Sequence, residues 1–532
     1  MNPVMSYLRR HPWWLAALLP AGTALFYALY THQVWEDYFI TFRHTENFVN
    51  GQGLVYQPGE RVHGFTSVLN TLLPALPFAL TRSFTVTIWC FRLCSLAVLV
   101  GGLAVLWRAM AEKLGAGRFE LWLGAVLVAT SVKIIAFSVN GQESGLLVGF
   151  LAMSLGFALR LEEPRGWLRL GLAWAGLLYT RPDSPLCIAA VAVIAWQSGP
   201  GEPRAKRWPI IQAGALAVGA FLPWVLIAWS YYGSPIPHTV TAKAGDSFLV
   251  ANNIMATASA MCAQIVEAFI DVFGPIYGMG DWPQLLGLGA LLGSAFAAGL
   301  WLWVRPWRDR FTGLCSLSLF GLLLYFMWLK TQRDAYPWYY GSASLFAIIV
   351  VGRVAGGLWE GRTAWARGVA LAGGGSLVLV SAWIFALANQ HAQRQQLEVE
   401  DNIRRPIGLW LKEHASPGDS VFLEPIGYIG YYSGLKILDY PGLVAPEVVK
   451  ARHETHAGFS ELPVVLKPTW IIAREGELER LRAVEGITNN YGVAQVWDHA
   501  EELMRKYGPF PGGNGVLFDA RFVALKRKPD AK

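Results

Sequence analysis

Long apolar runs alternate with short polar segments over the first three quarters of the chain. About eleven runs are close to the roughly 20 residues that cross a bilayer as a helix: 13–32, 84–107, 119–138, 144–160, 168–180, 184–198, 209–230, 284–304, 312–330, 342–358 and 369–389. Two are short. The first has too long an apolar region for a cleaved signal peptide, and no small-residue cleavage site follows it. The apolar segment 67–80 is shorter still and is expected to lie along the membrane surface or dip into it. From about 400 the pattern changes to that of a soluble α/β module. Residues 406–414 read as an amphipathic helix, 420–423, 436–439 and 468–473 as strands, and 427–434 (GYIGYYSG) as a glycine-spaced loop. The expected organisation is a membrane unit over 1–392, with outer loops 33–66 and 231–283, followed by an α/β domain over 393–532.

Orientation follows from basic residues. Arg9 and Arg10 precede the first run, and counting runs puts five more clusters on the same side: Arg108/Lys113/Arg118, Arg165/Arg169, Arg204/Lys206/Arg207, Arg305/Arg308/Arg310 and Arg362/Arg367. Such an excess marks the cytoplasmic face. The opposite face then holds 33–66, 139–143, 181–183, 231–283, 331–341 and everything after about 390.

Composition agrees. Of 532 residues, 54% are hydrophobic and only 15% charged, with a mean hydropathy of +0.35. Soluble proteins carry roughly 25% charged residues. Disorder, a coiled coil and a small disulfide scaffold are excluded, and a polytopic helical membrane protein remains. The 24 Trp and 19 Tyr suit bilayer interfaces. The net charge of +7 reflects loops held on the cytoplasmic side rather than nucleic-acid binding. The five Cys form no metal motif, and no metal or other cofactor is expected.

Five clusters carry chemistry, all on the non-cytoplasmic face. The first is Glu36-Asp37, with Arg43, Arg61 and His63 following. A carboxylate just outside a span can take a proton from an attacking hydroxyl, or can merely flank the span. Arg43 either binds phosphate or neutralises the acidic pair. Glu143, between two apolar runs, is either a site residue or a helix N-terminal carboxylate. Arg181 either holds a phosphate or pairs with Asp183. In the fourth cluster Lys243 is a phosphate candidate and His238 an acid–base candidate or a plain surface residue. In the fifth, Lys330 and Arg333 are further phosphate candidates. There Tyr336, Trp338, Tyr339 and Tyr340 form either a sugar or isoprenoid platform or an interfacial belt.

These stretches resemble a known family. The segment running from Trp35-Glu36-Asp37 through Phe42-Arg43 to Pro58-Gly59-Glu60-Arg61-Val62-His63-Gly64 is similar to the first-loop signature of bacterial C-type (GT-C) glycosyltransferases, nearest the arabinofuranosyltransferase-like families. Gly141-Gln142-Glu143, Thr180-Arg181-Pro182-Asp183, 231–243, 334–340 and the tail resemble later family elements. Glu36 stands where the family has Asp, His63 where it has Glu, and His238 where it has Asn. The resemblance implies an inverting transfer from a polyprenyl-phosphate sugar, a pentose such as arabinofuranose being one example, to a cell-envelope glycan or surface protein. Asp37 or Glu36 would be the base, and Arg181, Lys243 and Arg333 would stabilise the departing phosphate. It further implies a bacterial inner-membrane location with the site on the periplasmic face, and activity without metal. The alternatives are a transporter or flippase of lipid-linked sugar and a non-catalytic scaffold.

Overall fold

A computed structural model describes residues 12–198, 202–243, 254–276, 281–303, 309–332, 336–361 and 363–529. Each of the eleven apolar runs is mainly helical within these residues. Among the described residues, six helices are long and apolar enough to cross a membrane, or seven if the bent pair Arg118–Ala129 and Val132–Val139 counts as one span. Ser144–Ala158, Ser184–Gln197 and the apolar part of Gln284–Trp303 are shorter. Segment 67–80 forms two short helices, Val68–Leu72 and Ala75–Thr81.

Small residues set the packing of the central helices. Phe84–Leu114 starts where the Ser83 side chain accepts from the Val86 N–H, and ends at Gly115 with φ 65°. Ser144–Ala158 lies against it. A methyl group on Gly149 would sit 2.6 Å from the Val98 carbonyl carbon. Gly149 therefore permits a backbone approach that no larger residue allows. The bent pair turns by 55°. Buried Lys133 lies just after the break and donates to the carbonyls of Pro275 (2.6 Å) and Ile276 (3.1 Å).

Neither expected outer loop is simply a loop. Residues 33–66 begin with the helix Glu36–Val49, whose Tyr38, Phe39 and Phe42 share a buried aromatic cluster. Within 231–283 lie the short helix His238–Lys243 and the 20-residue helix Ile254–Phe273. Gln264, Glu267 and Asp271 interrupt the apolar run of the latter, which hides it from a search for continuous hydrophobicity.

The helix Ala364–Arg394 continues through the π-helical stretch Gln395–Arg404 into Arg405–His414. It thus crosses the expected boundary at 392/393 unbroken. Beyond it is a five-stranded sheet of order β2-β1-β3-β5-β4. The expected strands are present as β1 (Ser420–Leu423), β2 (Lys436–Asp439) and β3 (Trp470–Arg474), with β1 parallel to both β2 and β3. The sheet also has β4 (Tyr491–Asp498) and β5 (Arg521–Arg527), antiparallel to each other, with β5 antiparallel to β3.

The glycine-spaced stretch is a helix, Ile426–Ser433, and not a loop. Its glycines serve close packing. A side chain on Gly427 would strike the Glu36 carbonyl, and one on Gly430 the Tyr56 hydroxyl. The same helix ties the sheet unit to the first loop. Arg43 donates to the carbonyls of Gly430 (2.7 Å), Gly434 (3.3 Å) and Leu435 (3.0 Å), and its guanidinium lies over the Tyr56 ring. Gln57 exchanges hydrogen bonds with the Ile437 backbone at the β2 edge.

Candidate functional site

Glu36 and Asp37 open the helix Glu36–Val49, where the N-terminal dipole favours negative charge. The loop before Ser144 fixes that end. Trp35 donates its N–H to the Asn140 carbonyl (2.7 Å), and Asn70 donates to the Gly141 carbonyl (2.9 Å). Gly141 has φ 101°, and a side chain there would enter the Tyr38 ring.

Two chambers meet at Asp37. A narrow crevice of about 80 Å³ is lined by Asp37, Glu143, Arg181, Asp183, Lys243 and Tyr339, among others. A larger cavity of about 630 Å³ lies between the helical part and the sheet unit. Asp37, Lys243 and Trp338 line both. Glu36 and Tyr336 line only the larger.

The acidic pair is asymmetric. Glu36 Oε1 accepts from the Gly427 N–H in the first turn of Ile426–Ser433, so this carboxyl is tied to the sheet unit. Burial, and then the neighbouring Asp37, hold Glu36 well above the usual carboxylate range. Burial raises Asp37 too, but the Lys243 charge and a hydrogen bond from Glu36 act against it. Of the pair, Glu36 is the more strongly biased toward its protonated form, which makes Asp37 the better base.

Arg181 is committed to carboxylates. It donates to Glu143 Oε1 (2.7 Å) and to both oxygens of Asp183 (2.7 and 3.1 Å), and stacks over the Tyr339 ring at 4.1 Å. Glu143 is also the residue preceding the helix Ser144–Ala158. Lys243 makes no ion pair among the described residues. Its Nζ lies 4.5 Å from the centre of the Tyr336 ring, and Tyr336 stacks on Trp338 at 4.7 Å. Lys243 is thus the cation best placed to meet an anion beside Asp37.

Other candidates lie apart from both chambers. Arg43 holds backbone carbonyls, as described above, and neither binds at the cavity nor neutralises the acidic pair. Arg61 is exposed and lies over the Tyr231 ring at 4.9 Å. His63 is buried, stacked on Tyr232 at 4.7 Å and edge-on to Phe65, and burial lowers it to about 4. It is a packing residue that stays neutral. His238 starts its short helix, with its N–H on the His63 carbonyl (2.9 Å), and burial lowers it too. Lys330 is paired with Asp271 (3.0 Å) and Glu267 (3.2 Å). Arg333 lies outside the described residues.

The larger cavity also has a charged wall that motif reading misses. Arg404 donates to Glu400 Oε1 and to Asp519 Oδ2, both at 2.8 Å. Arg474 donates to Asp519 Oδ1 (2.6 Å) and pairs with Glu424 (2.7 Å) and Glu477 (2.9 Å). The i,i+4 spacing of Glu400 and Arg404 was the available signal. Among the described residues, no group of three or more His, Cys, Asp or Glu side chains is placed to hold a metal ion.

Comparison with known proteins adds a partial sequence similarity and a fold. A family described as "Domain of unknown function (DUF8728)" matches residues 388–518. A terminal β-(1→2)-arabinofuranosyltransferase of Mycobacterium tuberculosis is 26% identical over 238 residues, 40% of this chain. The chain spans 35% of the length of that relative. ArnT from Cupriavidus metallidurans, solved bound to undecaprenyl phosphate, superposes with a TM-score of 0.51 at 10% identity, covering 97% of this chain and 98% of its own. The arabinofuranosyltransferase AftD from Mycobacteria superposes with a TM-score of 0.52 at 15% identity, covering 97% of this chain and 40% of its own. With its apolar helices and its small C-terminal sheet, the chain has the fold of the GT-C membrane glycosyltransferases, and part of its sequence is similar to an arabinofuranosyltransferase.

Proposed function

We propose that the protein is an inverting membrane glycosyltransferase that moves a sugar, arabinofuranose being the first to test, from a polyprenyl-phosphate donor to a cell-envelope glycan or surface-protein acceptor. The observation that carries this reading is the placement of Asp37 and Lys243 together in the wall shared by the two chambers. The acceptor hydroxyl gives its proton to Asp37 as its oxygen attacks the anomeric carbon. The bond from that carbon to the phosphate oxygen breaks, and the electron pair leaves with polyprenyl phosphate. The transition state has oxocarbenium character. Lys243 faces the charge that grows on the leaving phosphate. Arg181, held by two carboxylates, fixes the crevice wall beside it. The undecaprenyl phosphate bound to ArnT supports a lipid-phosphate donor. The arabinofuranosyltransferase similarity supports the sugar class. The six basic clusters support a site on the periplasmic face of the inner membrane, and the reaction proceeds without metal.

The test uses the purified full-length chain in liposomes with a radiolabelled polyprenyl-phosphate pentose and extracted envelope glycan. Labelled glycan with inverted anomeric configuration is expected, with and without EDTA. Movement of the lipid across the bilayer without product would make the protein a transporter instead. Loss of activity in EDTA, restored by Mg²⁺ or Mn²⁺, would overturn metal independence.

A further inference from the structure

We infer that Arg452, carried by a helix of the sheet unit, is a positioning residue: it holds Lys243 at the wall shared by the two chambers and so sets the affinity for the lipid phosphate. The inference deepens the glycosyltransferase reading and rests on it for the identity of that phosphate. It starts from the brevity of the helix His238–Lys243. Six residues close too few hydrogen bonds to hold a helix in isolation, so its place is fixed by what it meets. At the N-terminal end the His238 N–H donates to the His63 carbonyl. At the other end, the last carbonyls of a helix have no partner within it, and the dipole favours a cation there.

Arg452 is that cation. It lies in the last turn of the helix Pro446–Thr455, which packs against His238–Lys243. One terminal nitrogen, Nη1, donates to the carbonyl of buried Ala242 (3.3 Å) and to the carbonyl of Pro441 (3.1 Å). The guanidinium lies 5.2 Å from the centre of the Tyr440 ring. This stretch is in turn tied to the end of β2, because the Asp439 carboxylate accepts from the N–H groups of Gly442, Leu443 and Val444. Tyr440, Pro441 and Leu443 line the larger cavity, and Leu443 lines the crevice as well. One guanidinium thus clamps the wall of the sheet unit to the helix that ends in Lys243, 210 residues from Ala242 in the chain.

Lys243 follows Ala242 directly, and its ammonium rests on the Tyr336 ring. A cation stabilises growing phosphate charge only if it is held where that charge appears. A shift of about 1 Å at such a group can cost about 10²-fold. The competing role for Arg452 is a bond that merely stabilises the sheet unit. The two roles separate cleanly. A residue that acts through Lys243 loses its effect once the Lys243 ammonium is gone, whereas a structural bond costs the same with or without it.

The test is a double-mutant cycle on the full-length chain in detergent, read by titration with polyprenyl phosphate. Arg452→Gln is expected to raise Kd about 10-fold in the wild-type background, and less than about 2-fold in a Lys243→Gln background. Arg452→Lys should recover most of the affinity, because a single ammonium can donate to both carbonyls. A second readout needs no ligand. The acylation rate of the Lys243 amine, followed by mass spectrometry, should rise at least about 3-fold in Arg452→Gln as the short helix loosens. An equal loss of affinity in both backgrounds overturns the inference, and so does an unchanged acylation rate. Arg452 is only half-buried, so Arg452→Gln should fold; an aggregated variant would show that Arg452 holds the sheet unit as a whole, which also overturns it. A wild-type chain that does not bind polyprenyl phosphate, but whose Lys243 acylates faster in Arg452→Gln, removes the proposed donor and leaves the positioning of Lys243 standing.

Discussion

The adjacent carboxylates give the sharpest mechanistic test, since only one of them is positioned as a base. Asp37→Asn removes the proton acceptor at the wall shared by both chambers. A general base supplies about 10²–10⁴-fold, or about 3–5 kcal/mol of barrier, and kcat should fall by that factor while the protein still extracts and elutes normally. Glu36→Gln should behave differently. Its amide oxygen can still accept from the Gly427 N–H, its amide N–H can still donate to Asp37, and no charge is lost if the carboxyl is already protonated. Less than about 10-fold loss of kcat is expected. Glu36→Ala leaves the Gly427 N–H without its acceptor, at about 1–3 kcal/mol, and removes the hydrogen bond that helps keep Asp37 ionised. The pH profile reports the same asymmetry. A base works only unprotonated, and burial raises Asp37, so the rate should rise through an acid limb above the ordinary Asp value of about 3.9. That limb should move upward in Glu36→Ala and stay nearly in place in Glu36→Gln. The assay is transfer of radiolabel from polyprenyl-phosphate pentose to glycan across pH, with separate kcat and KM. An active Asp37→Asn, or a Glu36→Gln that loses as much as Asp37→Asn, would refute the assignment.

Three further outcomes follow from buried charge. Arg181→Gln should lower the detergent-extracted melting temperature by the equivalent of about 3–5 kcal/mol, because Glu143, 4% exposed, is left buried without its counter-charge; adding Glu143→Gln should restore part of the loss, and an unchanged melting temperature in the single variant would count against a structural ion pair. Asp439 is pushed up to about 6 by burial, against hydrogen bonds from the N–H groups of Gly442, Leu443 and Val444. A folded value above the unfolded one of about 3.9 means its contribution is fully present below about pH 4 and is lost as pH rises through about 6; Asp439→Asn should flatten that part of the melting-temperature profile, and an unaltered slope would show that another group causes it. A chain cut after residue 392 deprives buried Arg43 of its three carbonyl acceptors and should run as an aggregate in size exclusion, where a monodisperse peak would show that the membrane unit stands alone.

How much of this was legible depends on the partner each residue meets. The helices were readable because a long apolar run has few other solutions, and Ile254–Phe273 escaped because Glu267 and Asp271 break its run. Those acids pair with Lys330, which therefore read as a free cation on sequence alone. Asp37, Glu143, Arg181, Asp183 and Lys243 were legible as a group because all lie at helix ends on one face. Arg43 looked like a phosphate binder because a guanidinium has one appearance in a sequence, whether it meets phosphate or backbone carbonyls almost 390 residues away. His63 read as a member of the first-loop binding cluster and His238 as an acid–base candidate, but their surroundings are aromatic and backbone groups that no local motif announces. Of the Arg404 and Arg474 wall only the i,i+4 pair of Glu400 and Arg404 had a local signal, since Asp519 joins two arginines 70 residues apart.

These long-range partners also explain why the sheet unit belongs to the site rather than beside it. Gly427 reaches the Glu36 carboxyl, Tyr56 donates to the Ile426 carbonyl at 3.1 Å, and Gln57 completes the β2 edge. Each contact joins the first loop to the same short segment, 426–437. The position of Asp37 is therefore set from two sides: by the loop at Asn140 and Gly141 below it, and by the helix Ile426–Ser433 above. A hydrogen bond such as that at Glu36 contributes only about 0.5–3 kcal/mol to stability, but its geometric consequence is larger, because a misplacement of about 1 Å at a reacting group can cost about 10²-fold in rate. Glycine at 427 is the residue that allows this contact, since any side chain there would strike the Glu36 carbonyl and displace the backbone that carries Asp37.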